Sequence, residues 1–188
     1  IIVQQINEKG FCINELYNLI NNDINFISII PDLYKIINGD NSEGIKAILV
    51  EAIGKYAGSE FYHLMDLYKK TSNNSLNLKE ALANELFFGA KNNKSYIKDV
   101  EDLLLDKNNG KSRIILLELL KSSKDESHTQ LLKQLALDSD LRSNIIFWKS
   151  YWMKRDPDLY IEWEEDRRFI KEQLRLLLKE EDKLRKEQ

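Results

Sequence analysis

Apolar residues recur along the chain at intervals of three and four positions, the spacing that places them on one face of an α-helix. Similar stripes occupy the segments 45–56, 61–68, 97–105 and 131–137. In the first segment the stripe consists of Ile45, Ile48, Leu49, Ala52, Ile53 and Tyr56. Since this spacing differs from the strict alternation of a half-buried β-strand, the pattern predicts helices throughout.

Short polar segments separate the apolar stripes. They are rich in Asn, Ser, Asp and Gly, which cap helices or reverse the chain. These segments are 38–44, 71–75, 91–95, 107–112, 122–127 and 138–140. Pro31 and Pro157 are the only prolines and glycines number 7, whereas a β-rich protein uses many of both in its turns. The sequence therefore predicts an all-α chain of short helices joined by links of a few residues.

The helices recur with a fixed period. Glu85 lies 34 positions after Glu51, and Glu118 lies 33 positions after Glu85. Each glutamate interrupts an apolar helix, and a fourth copy starting at Arg142 has Phe147 in the glutamate's place. A long charged residue stands five positions before each glutamate: Lys46, Glu80 and Arg113. A second amphipathic helix follows each of the first three copies, over 60–70, 94–107 and 127–138. Helix pairs with this period are the signature of an α-solenoid.

The first copy also carries a family resemblance. Lys46 follows an apolar residue near the start of the helix, and Ala52, Ile53 and Gly54 follow later. In this pattern the segment resembles the inner helix of HEAT-like repeats, and the resemblance extends over roughly residues 24–155. It implies a right-handed α–α superhelix of about four helix pairs, with the inner helices on the concave face. Gly54 has no counterpart in the third copy, where Lys121 stands.

A long, heavily charged segment follows Pro157. Because terminal repeats of a solenoid need a polar outer face, we interpret this segment as a helix that caps the repeats. We expect a repeat domain over residues 1–157 and a capping helix of the same domain over 158–188. Trp163, Ile170, Leu177 and Leu184 recur every seven residues. The remaining seam positions are too polar for a coiled coil, but self-association through this helix is an alternative role.

Two interpretations apply to the row of Glu51, Glu85 and Glu118. In the first, the row is structural, with each carboxylate at the rim of the packed face and paired with Lys or Arg from a neighbouring repeat. In the second, the row is an acidic stripe on the concave face that selects a basic partner. The sequence favours the structural interpretation and leaves both open.

An aromatic cluster near residue 150 has the same ambiguity. The segment 147–163 contains all three tryptophans of the chain, with basic residues between them. Its candidate binding residues are Phe147, Trp148, Tyr151 and Trp152. Such side chains can anchor a protein partner or stack nucleic-acid bases. They can equally fill the core where the last repeat meets its cap, which is the interpretation we favour.

The amino-acid composition excludes several classes of function for this protein. The chain has 188 residues, of which 43% are hydrophobic and 31% charged, a composition typical of a globular domain. Its formal charge of −3 lacks the basic excess of a nucleic-acid-binding protein. Cys12 is the only cysteine, so an internal disulfide and a cysteine-based zinc site are excluded. The apolar runs are too short to cross a membrane, and residues 1–13 lack the features of a signal peptide. We therefore expect a cytoplasmic protein.

Catalytic motifs are also missing from the sequence. His63 and His128 lie on different predicted helices, and neither has a partner at metal-ligand spacing. The chain contains no phosphate-binding glycine loop and no Gly-x-Ser-x-Gly elbow. We expect no catalytic residue, no metal and no cofactor.

Resemblance to HEAT-like repeats implies a binding scaffold, because such repeats serve as generic binding surfaces. We expect a non-catalytic protein that binds a basic protein partner on its concave face. By analogy with small bacterial helical-repeat proteins, an immunity or antitoxin-type binder is a special case, and the Lys-, Asn- and Ile-rich composition fits an AT-rich bacterial genome. The alternative is a nucleic-acid-binding protein resembling the DNA alkylation-repair type, which requires a continuous basic groove.

Overall fold

A computed structural model of the chain describes residues 2–21, 25–121 and 125–155, together with the helical positions 168, 171–173, 175–176, 179, 183 and 186. Every regular element in these residues is helical, so the predicted all-α class is confirmed for the described part of the chain. The helices are α1 (Ile2–Asn7), α2 (Tyr17–Asn21), α3 (Ile30–Asn38), α4 (Glu43–Gly54), α5 (Ala57–Lys70), α6 (Leu76–Asn92), α7 (Ile97–Leu105), α8 (Arg113–Leu116), α9 (Glu118–Lys121), α10 (Glu126–Leu135) and α11 (Arg142–Arg155). The chain forms two compact units, Ile1–Leu119 and Leu120–Gln188.

The central helix of the first unit is α6. It packs against α4 and α5 most extensively and also against α7 and α8. The buried residues of α6 cover most of its circumference, because neighbours lie on three of its sides. These residues are Leu78, Lys79, Ala81, Leu82, Ala83, Leu86, Gly89 and Ala90. Only a narrow strip of α6 therefore remains in contact with solvent.

Helix boundaries differ from the predicted ones where polar side chains bind the backbone. The predicted helix over 94–107 is a 3₁₀ turn over Lys94–Tyr96 followed by α7. The Asn93 side chain sets this turn by accepting a hydrogen bond from the Ser95 backbone N–H at 3.1 Å. The Asp106 side chain accepts from the Asn108 backbone N–H at 3.0 Å and ends α7. These are local side-chain contacts that compete with helix continuation.

Two buried cations support the ends of helices in the first unit. Lys79 is 2% exposed, and its Nζ donates to the backbone carbonyl of Thr71 at 2.8 Å, directly after α5. Arg113 is fully buried, and its Nη1 donates to the carbonyl of Leu104 at 3.0 Å, in the last turn of α7. Carbonyls at a helix C-terminus lack intrahelical partners and carry partial negative charge, which explains why a cation is stable there.

The positions of these cations differ from the predicted repeat register in one detail. The alignment of the internal repeats placed Glu80 opposite Arg113. Glu80 is exposed, however, and its neighbour Lys79 is the buried residue. Lys79 and Arg113 are 34 positions apart (113 − 79), and each lies near the start of a helix and binds the end of the preceding one. The recurring role is therefore carried by a cation rather than by a charged residue of either sign.

In the second unit, the described core comes from α10, α11, the link between them and the end of α9. Its buried apolar residues are Leu120, Leu132, Leu135, Ala136, Leu141, Ile145 and Ile146. The Asp125 side chain accepts from the Ser127 backbone N–H at 2.9 Å and caps α10. The predicted start of the C-terminal helix at Pro157 lies outside the described residues. Within the described residues, no helix is both long and apolar enough to cross a bilayer.

Candidate functional site

The three glutamates of the predicted row occupy different environments within the first unit. Glu51 on α4 and Glu118 at the start of α9 are exposed, whereas Glu85 on α6 is half-buried. Glu85 and Glu51 are close enough for the charge of Glu51 to raise the pKa of Glu85. Glu118 is not among the causes of the rise at Glu85. The structure therefore brings two of the three glutamates together as an electrostatic pair.

Glu85 is seated against Gly54, the last residue of α4. A Cβ atom at position 54 would overlap the Glu85 carboxyl group, so only glycine leaves room for this contact. The pKa of Glu85 is raised from 4.5 to about 7. Burial is the larger cause of this rise, and the charge of Glu51 is the smaller one. Among the described residues, neither Glu51 nor Glu85 forms an ion pair with Lys or Arg. The structural interpretation of the row, which requires such pairing, does not describe these two residues.

The exposed strip of α6 lies beside this pair. Its residues recur at intervals of three and four positions and all face solvent: Asn77, Glu80, Asn84, Phe88 and Lys91. Phe88 is 49% exposed and lies one turn after Glu85, so the two are neighbours on the helix surface. Phe87 is half-buried, and the centroid of its ring lies 5.1 Å from that of Phe88. The Lys91 Nζ lies 5.7 Å from the centroid of the Phe87 ring.

Phe88 is a candidate that the analysis of the sequence missed. The available signal was the adjacent pair Phe87-Phe88 in a helix whose core positions include Leu86 and Ala90. Because Leu86 and Ala90 are four positions apart on one face, a residue between them at position 88 points away from that face. An exposed phenylalanine follows from this register.

The predicted aromatic cluster belongs to the second unit, on α11. Phe147 is 66% exposed, so it does not fill the core. Trp148 is half-buried, and the Lys121 Nζ lies 4.4 Å from the centroid of its ring, within the range of a cation–π interaction. Tyr151 and Trp152 are helical residues of α11 whose side chains lie outside the described part of the structure. The core interpretation therefore does not apply to Phe147.

The described titratable groups do not form a metal-binding cluster of three or more His, Cys, Asp and Glu side chains. His63 is on the surface of α5 with its Nδ1 3.2 Å from Glu60, and His128 is in α10 of the other unit. Among the described residues, Glu51 and Glu85 are the two acidic groups of the predicted row that lie close enough for the charge of one to raise the pKa of the other. The chemistry of this pair is that of a site for positive charge bordered by an exposed aromatic ring.

The chain was also compared with protein-family models, with curated proteins and with solved structures. None of the three comparisons finds a match.

Proposed function

We propose that the protein is a non-catalytic scaffold that binds a basic protein partner on the face formed by α4, α6 and the α8–α9 segment. We call this surface the acidic-aromatic face; it consists of Glu51, Glu85, Phe88 and Glu118. The observation that carries the proposal is the position of an exposed phenylalanine beside two carboxylates that have no ion-pair partner among the described residues.

The two kinds of group contribute differently to binding. An aromatic side chain at the centre of an interface supplies a large apolar area at small entropic cost, which is why aromatic residues dominate interface energetics. Unpaired carboxylates accelerate encounter with a positive surface and disfavour acidic partners. A lysine or arginine brought by the partner would supply the missing counter-charge for Glu51 and Glu85. This combination favours a basic protein over a nucleic acid, whose phosphates the carboxylates would repel.

The repeat arrangement supports the same proposal. α4 packs against α6 and α6 against α8, as expected for the inner helices of successive repeats. The buried cations Lys79 and Arg113 recur in this stack with matching roles. In our proposal these helices form a short HEAT-like solenoid in the cytoplasm, and the acidic-aromatic face is its concave side. An immunity or antitoxin-type role, in which the bound basic protein is neutralised, is the special case of this function.

A charge-reversal experiment tests the acidic part of the face. We would compare the proteins captured by the wild type with those captured by a Glu51→Lys, Glu118→Lys variant. Glu85 is left unchanged because a lysine seated at Gly54 would perturb folding. The matched control is Asp66→Lys, Asp102→Lys, which reverses two exposed carboxylates on α5 and α7 with the same change in net charge. We expect a basic protein to be lost from the first variant and retained by the control. Equal capture by both variants would refute the proposed face.

A second pair of variants tests the aromatic part. Phe88 and Leu76 are both on α6 and both 49% exposed. Phe88→Asn and Leu76→Asn therefore remove similar apolar surface from the same helix. Once the captured partner is identified, we expect Phe88→Asn to weaken its binding by more than about tenfold, as for an interface hot spot, and Leu76→Asn to change it little. Equal effects would show that Phe88 is not an anchor. Loss of a nucleic acid instead of a protein would favour the alternative function.

A further inference from the structure

The contact between Glu85 and Gly54 has a consequence for the protein on its own, without a partner. Gly54 is the last residue of α4, and Glu85 lies in the middle of α6. The carboxyl group occupies the space that a side chain at position 54 would fill, in the most extensive helix–helix contact of the first unit. The missing side chain at position 54 therefore gives the Glu85 carboxyl group its place against the end of α4.

No described charge favours the ionised form of Glu85 at this position. The elements packed against α6 are α4, α5, α7, α8 and the 3₁₀ turns over Lys94–Tyr96 and Lys107–Ser112. Of their charged groups, only Glu51 on α4 acts on Glu85, and its sign is unfavourable. On the α8 side, Arg113 is turned into the interior, where its Nε and Nη1 are bonded to backbone carbonyls. Of the cations on α5 and α7, Lys70 is paired with Asp66, and Lys98 with Glu101 and Asp102. The other basic residues of the neighbouring elements do not contribute to the pKa of Glu85: Lys46, Lys55, His63, Lys69, Lys94, Lys107 and Lys111.

We propose that the packing of α4 against α6 is pH-sensitive: the protonated carboxyl group of Glu85 sits on Gly54, and the ionised carboxylate moves out to solvent and loosens the contact. A half-buried carboxylate beside a like charge loses favourable hydration without gaining a counter-charge, whereas the neutral acid has no such cost. This change requires a carboxyl group packed on a helix end, a like charge beside it, and a helix end that can move away from its neighbour. Glu85, Glu51 and the end of α4 at Gly54 supply these three features. The change occurs near neutral pH, which agrees with the raised pKa of Glu85.

The direction of the pH effect follows from linkage. The pKa of Glu85 is 4.5 in the unfolded reference and about 7 in the folded protein, so the folded state holds the proton more tightly. The seated contact is therefore complete at acidic pH and is lost as the pH rises through about 7. Charge at the acidic-aromatic face increases over the same range.

Two NMR measurements on the whole protein test this inference. The first follows the ¹³C shift of the Glu85 carboxyl group with pH, and we expect a midpoint well above 4.5, the value in the unfolded reference. The second follows hydrogen exchange of the α4 and α6 amides, corrected for the intrinsic pH dependence of exchange. We expect severalfold faster exchange near the end of α4 at about pH 8.5 than at about pH 5.5, on either side of the midpoint.

Variants separate this mechanism from a general effect of pH. Glu85→Gln keeps a neutral group on Gly54, so the exchange rates should lose their pH dependence at the end of α4. Glu51→Gln removes the like charge and should shift the Glu85 midpoint to lower pH. Glu118→Gln is the control and should leave both measurements unchanged. A Glu85 midpoint near 4.5, or an exchange profile of Glu85→Gln that still follows the wild type, would overturn the proposal. Neither outcome depends on a binding partner, so failure here is distinguishable from failure of the proposed function.

Discussion

Replacing Arg113 by methionine should destabilise the first unit more than any change at the surface. Arg113 is fully buried, and its Nε and Nη1 donate to the carbonyls of Gly110 at 2.8 Å and Leu104 at 3.0 Å. Methionine keeps an unbranched chain of comparable length but supplies no donor. Arg113→Met therefore leaves at least two carbonyl groups without the donor that now satisfies them. The contact with Leu104 is buried, and the contact with Gly110 is part-buried.

The expected magnitude follows from these hydrogen bonds. Leaving a buried polar group unsatisfied costs about 1–3 kcal/mol, so two carbonyl groups cost about 2–6 kcal/mol, with the smaller share from Gly110 because its contact is only part-buried. The substitution also removes the desolvation cost of a buried guanidinium group, which offsets part of the loss. We expect a net decrease of about 2–4 kcal/mol in the free energy of unfolding, a large fraction of the stability of an ordinary domain.

The assay is urea denaturation followed by two signals. Far-ultraviolet circular dichroism reports helix throughout the chain, whereas tryptophan fluorescence reports only the second unit, because Trp148, Trp152 and Trp163 all follow Leu119. The matched control is Lys111→Met, which removes an exposed cation from the same segment. We expect a lower midpoint by circular dichroism for Arg113→Met and no measurable change for the control. If the two variants unfold within about 0.5 kcal/mol of each other, the carbonyl contacts do not stabilise the fold as argued.

Three further predictions concern other contacts of the first unit. Tyr68→Phe removes the hydroxyl that lies 2.7 Å from the Ser112 Oγ, and denaturation should show a loss of about 0.5–1.5 kcal/mol. Gly110→Ala forces a side chain onto a residue with φ of 60° and places a Cβ 2.9 Å from the Asn73 Nδ2, and the same assay should show a loss of about 1–3 kcal/mol. Glu85→Gln should leave stability unchanged at about pH 4 and increase it by about 1–2 kcal/mol at about pH 8. The pKa difference between 4.5 and about 7 corresponds to about 3.4 kcal/mol, which partial solvent exposure reduces. Equal stability of Glu85→Gln and the wild type at both pH values would contradict this reasoning.

Binary patterning predicted the helical class and the approximate position of most helices. The stripe over 45–56 corresponds to α4 and that over 97–105 to α7, because burial of one face requires apolar residues at helical spacing. Helix ends were less predictable. Whether the Asn93 side chain turns back to the Ser95 N–H is decided by local geometry rather than by periodicity. The register of buried cations was also ambiguous, since Lys79 and Glu80 are adjacent and only one can point inward.

The sequence by itself determined the all-α class, which is confirmed for the described residues, and the recurrence of glutamates at intervals of 34 and 33 positions. These properties depend on local spacing, which the order of residues specifies directly. Only the tertiary structure decided what the glutamates do: Glu85 is seated on Gly54 and coupled to Glu51, whereas Glu118 is exposed. The physical reason is that desolvation and the distances between charges depend on which helices pack together and how closely. A repeat in sequence therefore makes the positions equivalent, but burial makes their chemistry different.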